Sequence, residues 1–282
     1  MRSHKAPRAT ATVAEAQFSR VSAAAQGTNA RLAYTRRRLV LASRGSVRRR
    51  ETLIGGSAVT VAKCDSEGAS IVLLGSFNPG IFQPAWFGAH ELIKPEESES
   101  AKINVIHPEV SAFATDWFSI QVLKERFTVQ ASDPGHYSPL ADLVMGLFQL
   151  LEHTPFDKMG LNRFLHFRMA SEDEWHRVGD LLAPKEPWRA ILKKPGLRSL
   201  YMQDAPEETT SEGAGVKVVR FVRIEPSQAV HPGVFVEVNR HHETSGTDAA
   251  RVLMKVLRDT WRPSLDEAQR VAEHLVTQAS ER

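Results

Sequence analysis

Three stretches of this chain alternate apolar residues with polar or aromatic ones, and their polar positions carry the groups best able to recognise a ligand. From Gly160 to Arg168 the even positions hold Asn162, Phe164, His166 and Arg168, against Leu161, Leu165 and Phe167 on the odd ones. From Val234 to His242, the set Phe235, Glu237, Asn239 and His241 alternates with Val234, Val236 and Val238. Between Val216 and Glu225, Arg223 and Glu225 fall on the side of Lys217, Val219 and Phe221. Side chains two apart along a strand share a face. If the three strands share a sheet, Asn162, His166, Arg168, Arg223, Glu237, Asn239 and His241 form one surface of amide, imidazole, guanidinium and carboxylate groups, suited to a peptide or a small anionic ligand. The competing reading is the solvent-facing side of an antiparallel sheet laced with cross-strand ion pairs.

Other chemistries find less support. His241-His242-Glu243 is the densest histidine cluster, but neighbours on a strand point to opposite faces, so the trio does not converge on a metal. Cys64 is the single cysteine, which excludes an intramolecular disulfide and any cysteine-pair metal site, and nothing near it in sequence would activate the thiol. Phosphate-loop, dinucleotide, hydrolase-elbow and zincin motifs are absent. No catalytic residue, metal or cofactor is therefore expected. Trp86 and Phe87 after Pro84, and Trp188 after Pro187, are candidate contacts for a protein partner, or else aromatic residues that pack a loop onto the core.

The elements that would position these groups follow from periodicity. Ala69 to Phe77 predicts a short strand ending in a turn at Asn78-Pro79-Gly80, and Phe118 to Gln130 a long strand or hairpin. Ser138 as N-cap before Pro139 predicts a helix with Leu140, Leu143, Val144, Leu147, Leu150 and Leu151 inward. Met159 to Met169 reads as a strand, and Ser171-Glu172-Asp173-Glu174 as a capping box opening a helix. Val216 to Glu225 and Val234 to His242 form a hairpin pattern. Two helices then follow, about Thr247 to Thr260 and from the capping box at Ser264 to Glu267. The acidic stretches Lys94 to Ser100 and Asp204 to Gly215 read as surface loops. Hairpins separated by helices predict an α+β fold, an antiparallel or mixed sheet covered on one side by helices. Asn162-Arg163 and Asn239-Arg240 echo one another, which raises a duplicated unit with halves 69–203 and 215–282.

Charge divides the chain differently. The first fifty residues carry twelve Lys and Arg against Glu15 alone, whereas the other 232 carry 24 basic and 32 acidic residues. The expected organisation is a disordered basic arm over 1–50 and one α+β domain over 51–282. Such an arm can bind nucleic acid or an anionic membrane through phosphate charge, although few aromatic residues interleave its arginines; its Arg/Ser-rich, acid-poor composition also resembles an organellar transit peptide, and plain unstructured chain is the simplest reading. No apolar run approaches the roughly 18 to 20 residues that span a bilayer, and a secretory signal core is missing. A cytoplasmic protein with no membrane partner is the expectation.

Two resemblances add to this reading. Ile71-Val72-Leu73-Leu74-Gly75-Ser76-Phe77-Asn78-Pro79 resembles the first motif of the cytidylyltransferase-like nucleotidyltransferases, whose histidines stabilise the phosphate undergoing transfer. Their positions are occupied here by Ile81 and Pro84, with Gln83 in place of the intervening glycine. The second signature of that family is shifted by one residue at Ser245-Gly246-Thr247-Asp248-Ala249-Ala250-Arg251, so the motif reads as a decoy. The order Phe127-Thr128-Val129, helix, Gly160-Leu161-Asn162-Arg163 and a late strand ending in Asn239-Arg240 resembles an uncharacterised, sporadically distributed bacterial protein family, a resemblance that implies no known activity. The sequence thus favours a non-enzymatic binding or interaction module. A degenerate nucleotidyltransferase-like nucleotide-binding enzyme is the alternative, and a protein associated with nucleic acid through its arm is a second one. An antiparallel sheet bringing Asn162, His166 and Asn239 together would favour the first.

Overall fold

The computed structural model describes residues 64–280, so the basic stretch 1–50 lies outside the described residues. The expected α+β architecture is present. Ten strands form one sheet: β1 (Cys64–Gly75), β2 (Lys102–His107), β3 (Val110–Ala114), β4 (Ser119–Leu123), β5 (Arg126–Ala131), β6 (Phe156–Arg168), β7 (Leu200–Gln203), β8 (Glu207–Ser211), β9 (Ala214–Pro226) and β10 (Gly233–Glu243). Their order is β2-β3-β4-β5-β1-β6-β10-β9-β7, with β8 also on β9, and every pairing is antiparallel. Both stretches considered as duplicated halves contribute to this one sheet, since β6 pairs with β10.

Helices cover one face. They are α1 (Pro84–Ala89), α2 (Pro95–Ser100), α3 (Tyr137–Leu150), α4 (Glu172–Leu182) and α5 (Ala249–Ser280), the last lying across β6 and β10. Apolar residues at alternate strand positions meet them in two cores. One joins Ile71, Leu73, Phe127, Val129, Met159 and Leu161 to Leu140 and Leu147 of α3 and to Leu253, Leu257 and Trp261 of α5. The other joins Leu165, Phe167, Val234 and Val236 to Val178 of α4 and to Ala268, Ala272 and Val276 of α5. At the border three strands turn an arginine toward the helices. Arg163 is paired with Glu67 and donates to the Leu265 carbonyl at 3.4 Å, while Arg220 and Arg240, direct cross-strand neighbours, are both paired with Glu267. The Asn-Arg echo has this as its physical content: each Arg pins α5, and each Asn points to the far face.

Several sequence expectations are corrected. The closing helices are one 32-residue helix that runs through Pro263. A proline inside a helix removes one N–H and crowds the preceding turn, but Leu265, Ala268, Ala272 and Val276 bury beyond it, and their packing outweighs that loss. Ser264 is consequently a mid-helix residue, not a cap. The helix expected from Ser138 starts at Tyr137, continuing a 3₁₀ turn capped by Asp133, whose carboxylate accepts from Gly135 N at 2.8 Å. The acidic stretch before β2 is the short helix α2, and most of Asp204 to Gly215 is β8 and its turn into β9. Ser171 is the N-cap expected, its hydroxyl accepting from Glu174 N at 3.2 Å, while the Glu174 carboxylate accepts from Ala170 N at 2.6 Å, one residue before the cap.

Candidate functional site

The register places the expected polar residues together on the face turned away from the helices. Asn162 lies directly opposite Asn239 on one side and Ser70 on the other. His166 is opposite Phe235, Glu237 is opposite Arg223, and Asn239 is opposite Phe221. The face is more enclosed than a solvated sheet surface: Asn162, Arg223, Glu237, Asn239, Phe221 and Phe235 are all buried. His166 and His241 are half-buried, and Arg168 is exposed at the rim.

Most of these groups are engaged. Arg223 donates through Nε to Glu237 Oε2 at 2.8 Å and through Nη1 to Glu225 Oε1 at 3.2 Å, and its guanidinium lies 5.1 Å from the centre of the Phe235 ring. Glu225 is held in turn by Ser199 Oγ at 3.0 Å. Arg168 is paired with Asp65 at 3.1 Å. Arg126, on the same face of β5, donates to Thr128 Oγ1 at 3.2 Å; burial lowers its pKa and the Glu237 carboxylate works against that. Burial also holds the histidines neutral, pushing His241 down to about 4 against the pull of Glu243, and lowering His166 against Asp65. Every arginine on this face thus has its own carboxylate or hydroxyl partner, and neither imidazole adds positive charge at neutral pH.

Asn239 is the exception. Its amide oxygen is buried without a hydrogen-bond partner, whereas Asn162 Nδ2 donates to Ser70 Oγ at 3.1 Å. An unmet buried polar atom of this kind costs about 1 to 3 kcal/mol. It sits between the Phe221 ring and the second asparagine, at the centre of the face. Ser70 and Arg126 were not singled out from sequence. Their signal was the alternation in β1 and β5, which becomes informative only once those strands are known to border β6.

One contact has the composition of a catalytic pair. His166 Nδ1 and Ser227 Oγ are 2.8 Å apart. Ser227 Oγ also accepts from Ala229 N and Val230 N, both at 3.1 Å. With both lone pairs engaged, the hydroxyl can only donate to the imidazole and has none left for attack on an electrophile. The pair fastens the β9–β10 connection to β6. Cys64 gives no better nucleophile, since burial, and then Glu67, push its thiol pKa up.

The Gly-Ser-Phe-Asn-Pro turn is likewise explained by structure. Gly75 N, Ser76 N and Phe77 N donate to the carbonyls of Glu125, Pro155 and Lys124 at 3.2, 2.8 and 2.7 Å, and Gly80 N donates to Asn78 Oδ1. None of these amides remains for a phosphate. A side chain at Gly75 would stand 2.1 Å from the Pro155 carbonyl, which accounts for the glycine. A cleft of about 1020 Å³ does adjoin it, lined by Gly75, Ser76, Phe156 and the segment Gly246 to Arg251.

The aromatic candidates separate. Phe87 is fully buried and packs edge-on against Phe113, so it belongs to the core and is not a partner contact. Trp86 is half-buried against His90 at 4.3 Å. Trp188 is 50% exposed. Among the described residues no three metal-binding side chains gather, and no helix is long and apolar enough to cross a membrane.

No protein-family model matches the chain, and no curated protein matches it. Among solved structures it is similar to the di-domain ARO/CYC BexL from the BE-7585A biosynthetic pathway, at 13% identity over 64% of this chain and 79% of that one, with a TM-score of 0.21.

Proposed function

We propose that this chain is a non-enzymatic, cytoplasmic binding protein of bacterial type whose ligand contacts lie on the sheet face centred on Asn162 and Asn239. The observation that carries the reading is the buried, unpartnered amide oxygen of Asn239, flanked by Phe221 and Asn162. Natural structures leave few such atoms unmet without a reason. The charge pattern narrows the ligand. With Arg223 and Arg168 held by carboxylates, recognition rests on neutral hydrogen bonding and ring contact, and the small anion suggested by the residue types is disfavoured. A planar ligand carrying N–H or O–H donors fits this set.

The test is a thermal-shift screen of neutral heteroaromatic and amide compounds on the full chain, repeated on Asn239→Ala and Asn162→Ala. Asn239→Ala should leave unfolding unchanged or raise its midpoint, because it removes an unmet polar group, while binding of any hit falls about tenfold or more. A hit that binds both variants as well as the parent chain would sink the reading.

The alternative of a degenerate nucleotide-binding enzyme is supported by one observation, that Gly75, Ser76 and Gly246 to Arg251 line a common cleft. The occupied amides around Gly75 count against it. Association with nucleic acid through residues 1–50 would be independent of both and would weaken steeply with salt.

A further inference from the structure

The segment 183–199, between α4 and β7, has no buried residue. It is nonetheless folded locally. Trp188 N and Arg189 N donate to the Lys185 carbonyl at 2.9 and 3.2 Å, and Ile191 N and Leu192 N donate to the Trp188 carbonyl at 3.0 and 2.8 Å. This makes a helical knuckle in which Trp188, Ile191 and Leu192 stand at i, i+3 and i+4, on one side. They are 50, 73 and 49% exposed. A pair between Lys185 and Asp180 ties the knuckle to α4.

Basic residues surround these apolar tips. From Lys185 to Arg198 the chain holds Lys185, Arg189, Lys193, Lys194 and Arg198 against Glu186 alone, in a body that is net acidic over 51–282. Lys185 and Arg189 have carboxylate partners, whereas Lys193, Lys194 and Arg198 have none among the described residues. A recess of about 640 Å³ opens beside the knuckle between His176, Arg189, Lys193 and Lys194.

We propose that this knuckle docks the protein on an anionic lipid surface, with Trp188, Ile191 and Leu192 entering the headgroup boundary and Lys193, Lys194 and Arg198 meeting lipid phosphates. Trp188 and Ile191 stand open to solvent with Leu192 at the edge of the recess, and exposed apolar side chains ringed by lysine and arginine suit the boundary between lipid headgroups and acyl chains. The charge match is local: the acidic body is repelled by the same surface, so the patch also fixes orientation. This is peripheral docking and departs from the absence of a membrane partner expected from sequence.

The experiment is co-sedimentation of the full chain with phosphatidylcholine vesicles with and without phosphatidylserine, alongside tryptophan quenching by brominated lipid. Wild type should partition only onto the anionic vesicles. Lys193→Gln with Lys194→Gln should weaken partitioning about thirtyfold. Ile191→Asp should weaken it and abolish quenching, whereas Trp188→Leu should keep partitioning and lose the quenching. Unfolding midpoints equal to wild type exclude a folding defect, since no substituted side chain is buried. Partitioning unchanged in the Lys and Ile191 variants would assign the attraction to the basic stretch 1–50 and overturn the proposal. So would binding that requires an acidic protein and not the vesicles.

Discussion

At the scale of single residues, the chain keeps ionisable groups away from water under two different conditions. Arg223 and Glu237 are buried as an ion pair, with Glu225 as a second carboxylate on the same guanidinium, and removing Glu237 would halve that compensation. His242 is buried on the helix side of β10, opposite Met159 and Val218, with Nδ1 unpartnered; burial, and then the nearby Arg240, lower its pKa to about 3 against backbone hydrogen bonding at Arg240 and Met159. His241, on the other face, is lowered to about 4. Both depressions act in one direction on stability. Below the ordinary histidine pKa of 6.5 the unfolded chain takes up protons that the folded chain refuses, so stability present above pH 7 is lost as pH falls toward the folded values. At pH 5 each histidine contributes roughly 2 kcal/mol of destabilisation. Urea midpoints measured from pH 7.5 to 5 should therefore fall, and His242→Gln should flatten about half of that slope even if its midpoint at pH 7.5 is shifted. An equal slope in the variant would show that His242 titrates normally in the fold.

Among the elements, one motif has two fates. Ser171-x-x-Glu174 and Ser264-x-x-Glu267 are equivalent as local sequence, yet only the first begins a helix. Ser171→Ala should destabilise by about 1 kcal/mol, the usual consequence of losing an N-cap. Ser264→Ala should be neutral or stabilising by roughly 0.5 to 1 kcal/mol, because its hydroxyl is buried without a partner and alanine is the better interior helix residue. Denaturant unfolding of the two variants gives the comparison, and a loss at Ser264 equal to that at Ser171 would contradict the continuous helix. The same contrast marks how far the sequence could be read. Strand alternation located β6, β9, β10 and the face carrying Asn162, Asn239 and Arg223, because period two survives wherever one face is buried. The capping-box pattern at Ser264 reads as a new start because local sequence does not convey that packing on both sides carries one helix through Pro263. The hairpin of β2 and β3 escaped notice, its alternation broken by the irregularity between Ile103 and Val105. The convergence of Ser70 on Asn162 depended on a pairing between residues about ninety positions apart, which periodicity cannot convey.

For the whole molecule, the weak point is an edge. β2 ends the sheet with every residue exposed, including Ile103 at 58% and Ile106 at 38%. An exposed strand edge rich in β-branched residues invites pairing with another chain, and a lysine at such a position discourages it. Ile103→Lys should leave the unfolding midpoint within about 0.5 kcal/mol of wild type and lower the rate of light-scattering growth on warming. An unchanged rate would clear this edge as the route of association. The strand order has a further consequence, for synthesis. β1 lies between β5 and β6, and β6 finds its second neighbour only in β10, with α5 following all ten strands. At typical elongation rates the ribosome needs on the order of ten seconds to travel from β6 to β10. Throughout that interval the nascent chain presents one open edge of β6 and the apolar positions of β6 that α5 later covers, leaving them free to meet other chains until the last strands and the closing helix are made.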